Sequence, residues 1–112
     1  MDPNFIVMGS QSKYSFVIHC TDYKQLGISS REFHDTEIFG VSWDPSTRDE
    51  YIVGCMDGTV RRCNMNKGSS TIKIYRGHEK KVFHVAYNAA VPSIFASGSD
   101  DLTIRIWNKD QE

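Results

Sequence analysis

Residues 94–108 read Ile94-Phe95-Ala96-Ser97-Gly98-Ser99-Asp100-Asp101-Leu102-Thr103-Ile104-Arg105-Ile106-Trp107-Asn108. Two short β-branched and aromatic runs flank a polar turn, which is the pattern of an antiparallel hairpin. Moved back by forty-four residues, the stretch falls without a gap on a second one. Gly98 lies on Gly54, Asp101 on Asp57, Thr103 on Thr59 and Asn108 on Asn64. Further outward, His78 lies on His34 and Val85 on Val41. A self-match at roughly 40–45 residues marks a repeat architecture, in which one small sheet buries its faces only against its neighbours.

The strands follow from the spacing of turn residues. In one period Ile38–Trp43, Tyr51–Cys55, Thr59–Cys63 and Thr71–Tyr75 predict a four-stranded antiparallel meander. Asp44-Pro45-Ser46 and Met56-Asp57-Gly58 supply turns, and 64–70 a polar loop. The next period repeats three of these strands, at Val82–Tyr87, Ile94–Gly98 and Thr103–Trp107. Ahead of them Phe5–Gly9, Ser15–Cys20 and Gln25–Phe33 predict a degenerate earlier copy. No stretch of useful length has helical apolar spacing, so about ten strands and no helix are expected.

Bulk composition excludes more than it selects. The 112 residues carry 13 Lys and Arg against 14 Asp and Glu, so no whole-chain field points to nucleic acid or a membrane. Charge is nevertheless uneven, with residues 32–50 mostly acidic and residues 61–81 mostly basic. Cys20, Cys55 and Cys63 lack the close pairing of a zinc site and read as reduced, buried thiols. The start MDPNFIVMGS has an apolar run of only Phe5 to Met8, neither a signal peptide nor a membrane span. A soluble intracellular protein, cytoplasmic or nuclear, is expected, with no metal and no cofactor.

Gly77-His78 followed by the 94–108 stretch resembles a WD repeat of the β-propeller family, which runs from a Gly-His pair to a Trp-Asp pair. Asn108 stands where the aspartate usually does. The resemblance is clear over residues 33–108 and extends by continuity to residues 4–32. It implies an all-β fold: one section of a WD-repeat propeller made of four-stranded antiparallel blades. The blades would be a partial degenerate one (1–33), a degenerate full one (34–76) and a well-formed one lacking its outer strand (77–112). A closed ring needs about four to eight blades. Remaining blades, in cis or in trans, are therefore expected to cover the sheet faces and strand edges that two and a half blades leave bare.

The resemblance also implies a hydrogen-bonded network inside the blade. His78 would bond Ser97, Ser97 would bond the indole of Trp107, and Asp101 would hold His78. A serine, a histidine and an aspartate also compose a hydrolase triad, but their spacing here is that of the repeat, with no exposed nucleophile turn. In the earlier copy Ser97 is replaced by Val53, Trp107 by Cys63 and Gly77 by Phe33. There only a His34–Asp57 pair is expected. Arg62 falls where alternation demands an apolar residue, so either its stem reaches the rim or it pairs with an acid of the neighbouring blade.

Propellers of this family are typically non-enzymatic platforms that bind through their upper rim. That implies rim residues Asp35, Thr36, Glu37, Met56 and Gly58 on one blade, and Glu79, Lys80, Lys81, Asp100 and Leu102 on the next. An acidic blade beside a basic one would suit a charged peptide. The expected function is a non-catalytic protein-protein interaction scaffold within a larger multiprotein complex, with other proteins or peptide segments as partners. The alternative is RNA recognition by the basic 61–81 stretch with Tyr75, Phe83 and Tyr87 interleaved, though aromatics placed on strands read as core. Neither a membrane nor a nucleic acid is the expected partner.

Overall fold

In a computed structural model of the chain, residues 5–9, 13–22, 25–47, 49–65 and 70–110 are described, with side chains described at 13, 34–47, 49–65 and 71–110. Ten strands form: β1 (Phe5–Gly9), β2 (Tyr14–Asp22), β3 (Gln25–Phe33), β4 (Ile38–Trp43), β5 (Glu50–Cys55), β6 (Val60–Asn64), β7 (Ser70–Tyr75), β8 (Val82–Tyr87), β9 (Ile94–Ser99) and β10 (Ile104–Asn108). They make three antiparallel sheets: an N-terminal β1-β2-β3, a middle β4-β5-β6-β7, and a C-terminal β10-β9-β8. The strand pattern read from the sequence is met, with ends displaced by a residue or two. The Cys20 side chain and residues 66–69 of the expected loop lie outside the described residues.

Register is set by the alternation. In β5, Tyr51, Val53 and Cys55 point to one face, where they pack with Ile38 and Cys63. Ile52 points to the other face, where Val60 and Tyr75 meet Val82, Val85 and Phe95 of the C-terminal sheet. Both faces of the middle sheet are thus covered, and Tyr51 to Cys55 is buried without interruption. Tyr75 makes the joint between the two sheets, with its ring edge-on to Phe95 at 5.0 Å and to Trp107 at 5.6 Å.

Neighbouring sheets approach closely at Gly54. A β-carbon there would lie 2.8 Å from Val82 Cγ1 and 2.9 Å from Val82 O, so only a residue without a side chain fits. Both β4 and β8 bulge at one residue, between Ile38 and Gly40 and between Val82 and His84. The bulge takes Phe39 and Phe83, forty-four residues apart, out of the paired ladder.

Polar contacts lock the same junction at the opposite end. Asp44 is fully buried; its Oδ2 accepts from Lys109 Nζ at 2.6 Å, and its Oδ1 from the backbone and hydroxyl of Ser46. Burial pushes the Asp44 pKa up, but the bonds from Lys109 and Ser46 outweigh it and hold the carboxyl below its ordinary range. Arg62 corrects an expectation. Its acid is Glu50 of its own sheet, with Nε 3.4 Å from Oε1, rather than an acid of the neighbouring blade. Its Nη1 also donates to Tyr75 Oη at 3.3 Å. Within-sheet pairing wins because Glu50 is on β5, next to β6, and both groups are already half-buried.

The outer face of the C-terminal sheet is uncovered by any described residue, leaving Ile104 77% and Ile106 67% exposed. Gly98, which matches Gly54 in the repeat, meets nothing within 4 Å. That contrast gives a paired expectation for this chain. Gly54→Ala should cost about 1–3 kcal/mol through overpacking. Gly98→Ala should change stability by no more than about 0.5 kcal/mol. Urea unfolding of the two variants measures the difference; equal losses would mean that the junction at Gly54 tolerates a side chain.

Candidate functional site

The end of the sheets that carries the 34–37 and 78–81 loops is where the polar residues of the repeat collect. In the C-terminal sheet Trp107 Nε1 donates to Ser97 Oγ at 2.8 Å, and Ser97 Oγ lies 2.7 Å from His78 Nε2. His78 Nδ1 lies 3.0 Å from Asp101 Oδ2. Because the Asp101 carboxylate can only accept, the imidazole carries its proton on Nδ1, and a neutral ring then accepts the serine's hydrogen at Nε2 while the serine oxygen accepts from the indole. Asp101 also accepts from Thr103 Oγ1, the Thr103 backbone and the Glu79 backbone. The Thr103 hydroxyl is the first cause holding its carboxyl far below the usual range.

These atoms have the connectivity of a hydrolase triad, but the arrangement is closed. Ser97 is 1% exposed and its oxygen is capped by the indole, so no substrate carbonyl reaches it. The chemistry available is satisfaction of buried donors and acceptors, which knits β9, β10 and the turn between them to the loop before β8.

The middle sheet solves the same turn differently. The expected His34–Asp57 pair is corrected: Asp57 Oδ2 accepts from Arg61 Nη2 at 2.9 Å, and its Oδ1 accepts from Thr59. Arg61 also reaches Asp35 Oδ1 at 2.7 Å and Thr59 Oγ1 at 3.2 Å. A permanently charged guanidinium with several donors outcompetes an imidazole for the carboxylate. Burial, followed by the charge of Arg61, lowers the His34 pKa to about 4. Arg105, which matches Arg61 in the repeat, takes another path because its guanidinium lies over Gly77. A β-carbon at 77 would sit 3.0 Å from Arg105 Cζ, and Phe33 carries such a carbon at the matching place.

The rim residues form a continuous ledge. Thr36 Oγ1 accepts from Asp57 N, and Glu37 O accepts from Met56 N. At Gly58 (φ 86°) a β-carbon would lie 2.6 Å from His78 O, which seats the 56–58 turn against the next loop. Ser99 Oγ donates to Lys80 O, and Asp100 N to Lys81 O. The expected contrast of an acidic blade beside a basic one is corrected by the pairing. Asp35 is held by Arg61, and Glu37 lies 3.9 Å from Lys13. Lys81 pairs with Asp100 at 3.5 Å and lies over the Phe39 ring at 5.0 Å. Glu79 and Lys80 point to solvent, Met56 is 49% exposed and Leu102 is 96% exposed.

Arg61, Lys13 and Phe39 are the members of this surface and its supports that sequence reading left out. The one signal for Arg61 was its identity with Arg105, which hid the difference. The aromatics of the basic stretch divide: Tyr75 is 5% exposed and Tyr87 packs on Phe95 at 5.5 Å, while Phe83 is open. Among the described residues no group of three or more His, Cys, Asp or Glu is placed to hold a metal ion. Cys55 and Cys63 are buried, and burial pushes the Cys55 thiol up to about 11. No helix among the described residues is long and apolar enough to cross a membrane.

The family model described as "WD domain, G-beta repeat" matches residues 69–108, which hold the network just described. Residues 69–108 match a WD repeat, and the antiparallel sheets of the chain are consistent with WD-repeat blades. It is similar to Periodic tryptophan protein 1 homolog of Drosophila melanogaster, 28% identical over 94% of this chain and 23% of that protein. It is similar to Dynein axonemal intermediate chain 4 of Mus musculus, 29% identical over 62% of this chain and 9% of that one. Polyadenylation factor subunit 2 of Kluyveromyces lactis is 31% identical over 69% of this chain and 18% of its own length. The chain thus spans less than a quarter of each of these relatives.

Two measurements check the site chemistry. Ser97→Ala leaves the Trp107 N–H and His78 Nε2 without their common partner, and should cost about 2–4 kcal/mol in urea unfolding. A loss below about 1 kcal/mol would show that the network adds little. For His34, the folded pKa of about 4 lies below the ordinary value of 6.5, so the unfolded chain binds the proton more readily. Its contribution is complete above pH 6.5 and is lost as pH falls towards 4, on the order of 3 kcal/mol. A His34→Gln variant should lack this fall in that window; equal slopes for both proteins would refute the assignment.

Proposed function

We propose that the chain acts as part of a non-catalytic, intracellular protein-interaction scaffold, a propeller section working within a multiprotein complex. Residues 1–33, 34–76 and 77–112 are its successive blades, and further blades in cis or in trans cover the outer face of the C-terminal sheet. The observation that carries the reading is the disposition of the polar groups. His78, Ser97, Asp101 and Trp107 in one blade, and Arg61, Asp57 and Asp35 in the other, bind one another. On the rim Met56, Glu79, Lys80 and Leu102 are left facing outward. A buried thiol at Cys55 agrees with a reducing compartment. The words "subunit" and "intermediate chain" in the names of two relatives support membership of an assembly.

The test is affinity purification of the native full-length protein from its own cells, followed by native mass measurement. The expected result is a stable assembly with other polypeptides in fixed stoichiometry. Retention of at least one of them should drop several-fold when Met56 is changed to Ser and Leu102 to Gly together. A native protein that runs as a monomer with no stoichiometric companion would overturn the scaffold reading.

A further inference from the structure

On the middle sheet, the face that β8 covers offers a seat made of two glycines. Gly40 and Gly54 are cross-strand partners on β4 and β5. A β-carbon at Gly40 would lie 3.1 Å from Phe83 O and 3.2 Å from His84 Cα, and one at Gly54 2.8 Å from Val82 Cγ1. The backbone of β8 rests on this seat, and a valine is long enough to fill the space over Gly54. Just before β8, Lys81 Nζ lies 5.0 Å over the ring of Phe39, the residue at the β4 bulge.

The outer face of the C-terminal sheet repeats this surface with changes. Forty-four residues on, the cross-strand partners are His84 and Gly98, so a side chain stands in the half of the seat that is bare in the middle sheet. His84 borders an apolar groove of about 200 Å³ with Ala86, Ala96, Gly98 and Ile104, and Gly98 itself meets nothing within 4 Å. Phe83, the counterpart of Phe39, is 45% exposed. Ile94 and Ile106 stand where the inner junction has Glu50 and Arg62, and Asn88 where it has Asp44. The charges that clasp the inner junction have no counterpart here, and apolar contact has to hold whatever lies on this face.

We propose that the strand covering this face stands further off than β8 does from the middle sheet. It carries a base over the Phe83 ring, followed directly by an apolar side chain longer than valine that reaches down to Gly98. The base follows from the ring, since the middle sheet fills the matching place with an ammonium and an aromatic face attracts a cation. The longer side chain follows from His84, whose imidazole excludes the backbone approach that Gly40 allows. At that greater distance a valine leaves a void over Gly98, whereas leucine, methionine or phenylalanine fills it. The inference rests on the reading that a further blade covers this sheet, and it names the chemistry of that blade's inner strand. A second copy of this chain does not supply it. Its β8 is already seated on its own middle sheet, and its β4 would bring the carboxylate of Glu37 to the Phe83 ring.

The full-length protein is made with the photoreactive substitution Ile104→benzoylphenylalanine, at the cross-strand partner of Gly98, and irradiated under native conditions. The linked peptide is then sequenced by mass spectrometry. It should read Lys or Arg followed directly by Leu, Met or Phe. A second variant, His84→Ala, removes the side chain against which the covering strand rests, and should lower the Tm of the full-length protein by several degrees. A linked strand with Val in the second place or no base in the first overturns the proposal and leaves the covering blade standing. An unchanged or raised Tm in His84→Ala does the same, because the imidazole would then only obstruct a strand seated as deeply as β8. No link at all, or a link to a second copy of this chain, overturns the covering blade as well. The scaffold reading is tested separately, by the presence of a stoichiometric companion.

Discussion

Val82 lies against the bare backbone of Gly54, and the arrangement of the rest of the molecule depends on that approach. A four-stranded sheet has two apolar faces, and neither is stable in water unless another sheet lies on it. The absent side chain at residue 54 lets β8 come close enough to bury Ile52, Val60 and Tyr75 under Val82, Val85 and Phe95. Once that spacing is set, other contacts have a fixed geometry. The ring of Tyr75 meets Phe95 and Trp107, Lys109 reaches back to Asp44, and Gly58 is pressed against the carbonyl of His78.

The same constraint explains why two blades with one backbone pattern differ in their polar chemistry. Each needs the turn between its second and third strands tied to the loop before its first. In the C-terminal sheet the tie runs from Asp101 through His78 and Ser97 to Trp107. In the middle sheet Val53 and Cys63 replace the two inner members and are completely buried, so the interior is apolar and the tie moves outward to Arg61. The cost is a buried imidazole at His34 that resists protonation. A histidine-centred network and a guanidinium-centred one hold equivalent turns.

Strands and turns were legible because alternation and turn residues act locally, and the forty-four-residue match fixed which strands share a sheet. The network of His78, Ser97, Asp101 and Trp107 could be named because the resemblance to a WD repeat implies it for residues in those places. Arg61 could not, since residue 105 is also arginine. What sets Arg105 apart is Gly77, a feature visible only once the guanidinium of Arg105 is seen lying over that glycine. The Lys109–Asp44 clasp was hidden for another reason. Its partners are far apart in sequence, and Met65 and Asn88, their counterparts in the repeat, do not form such a pair. Arg62 broke the alternation openly, but which acid it chose depended on the width of its own sheet.

The distribution of charge at the rim follows from these internal ties rather than from composition. Counting residues gives one acidic loop and one basic loop. Folding then draws Arg61 inward to Asp35 and Asp57, and places Lys81 over Phe39 beside Asp100. A base used to fasten a turn is lost to the surface, whereas a carboxylate at the turn's exposed end still offers a free oxygen. The repeat therefore ties mixed local charge into pairs rather than leaving one acidic and one basic loop. Substitutions that keep the fold while exposing Leu102 and Met56 leave the rim with apolar contacts as well. A scaffold blade can acquire specificity in this way without altering the packing at Gly54 on which it stands.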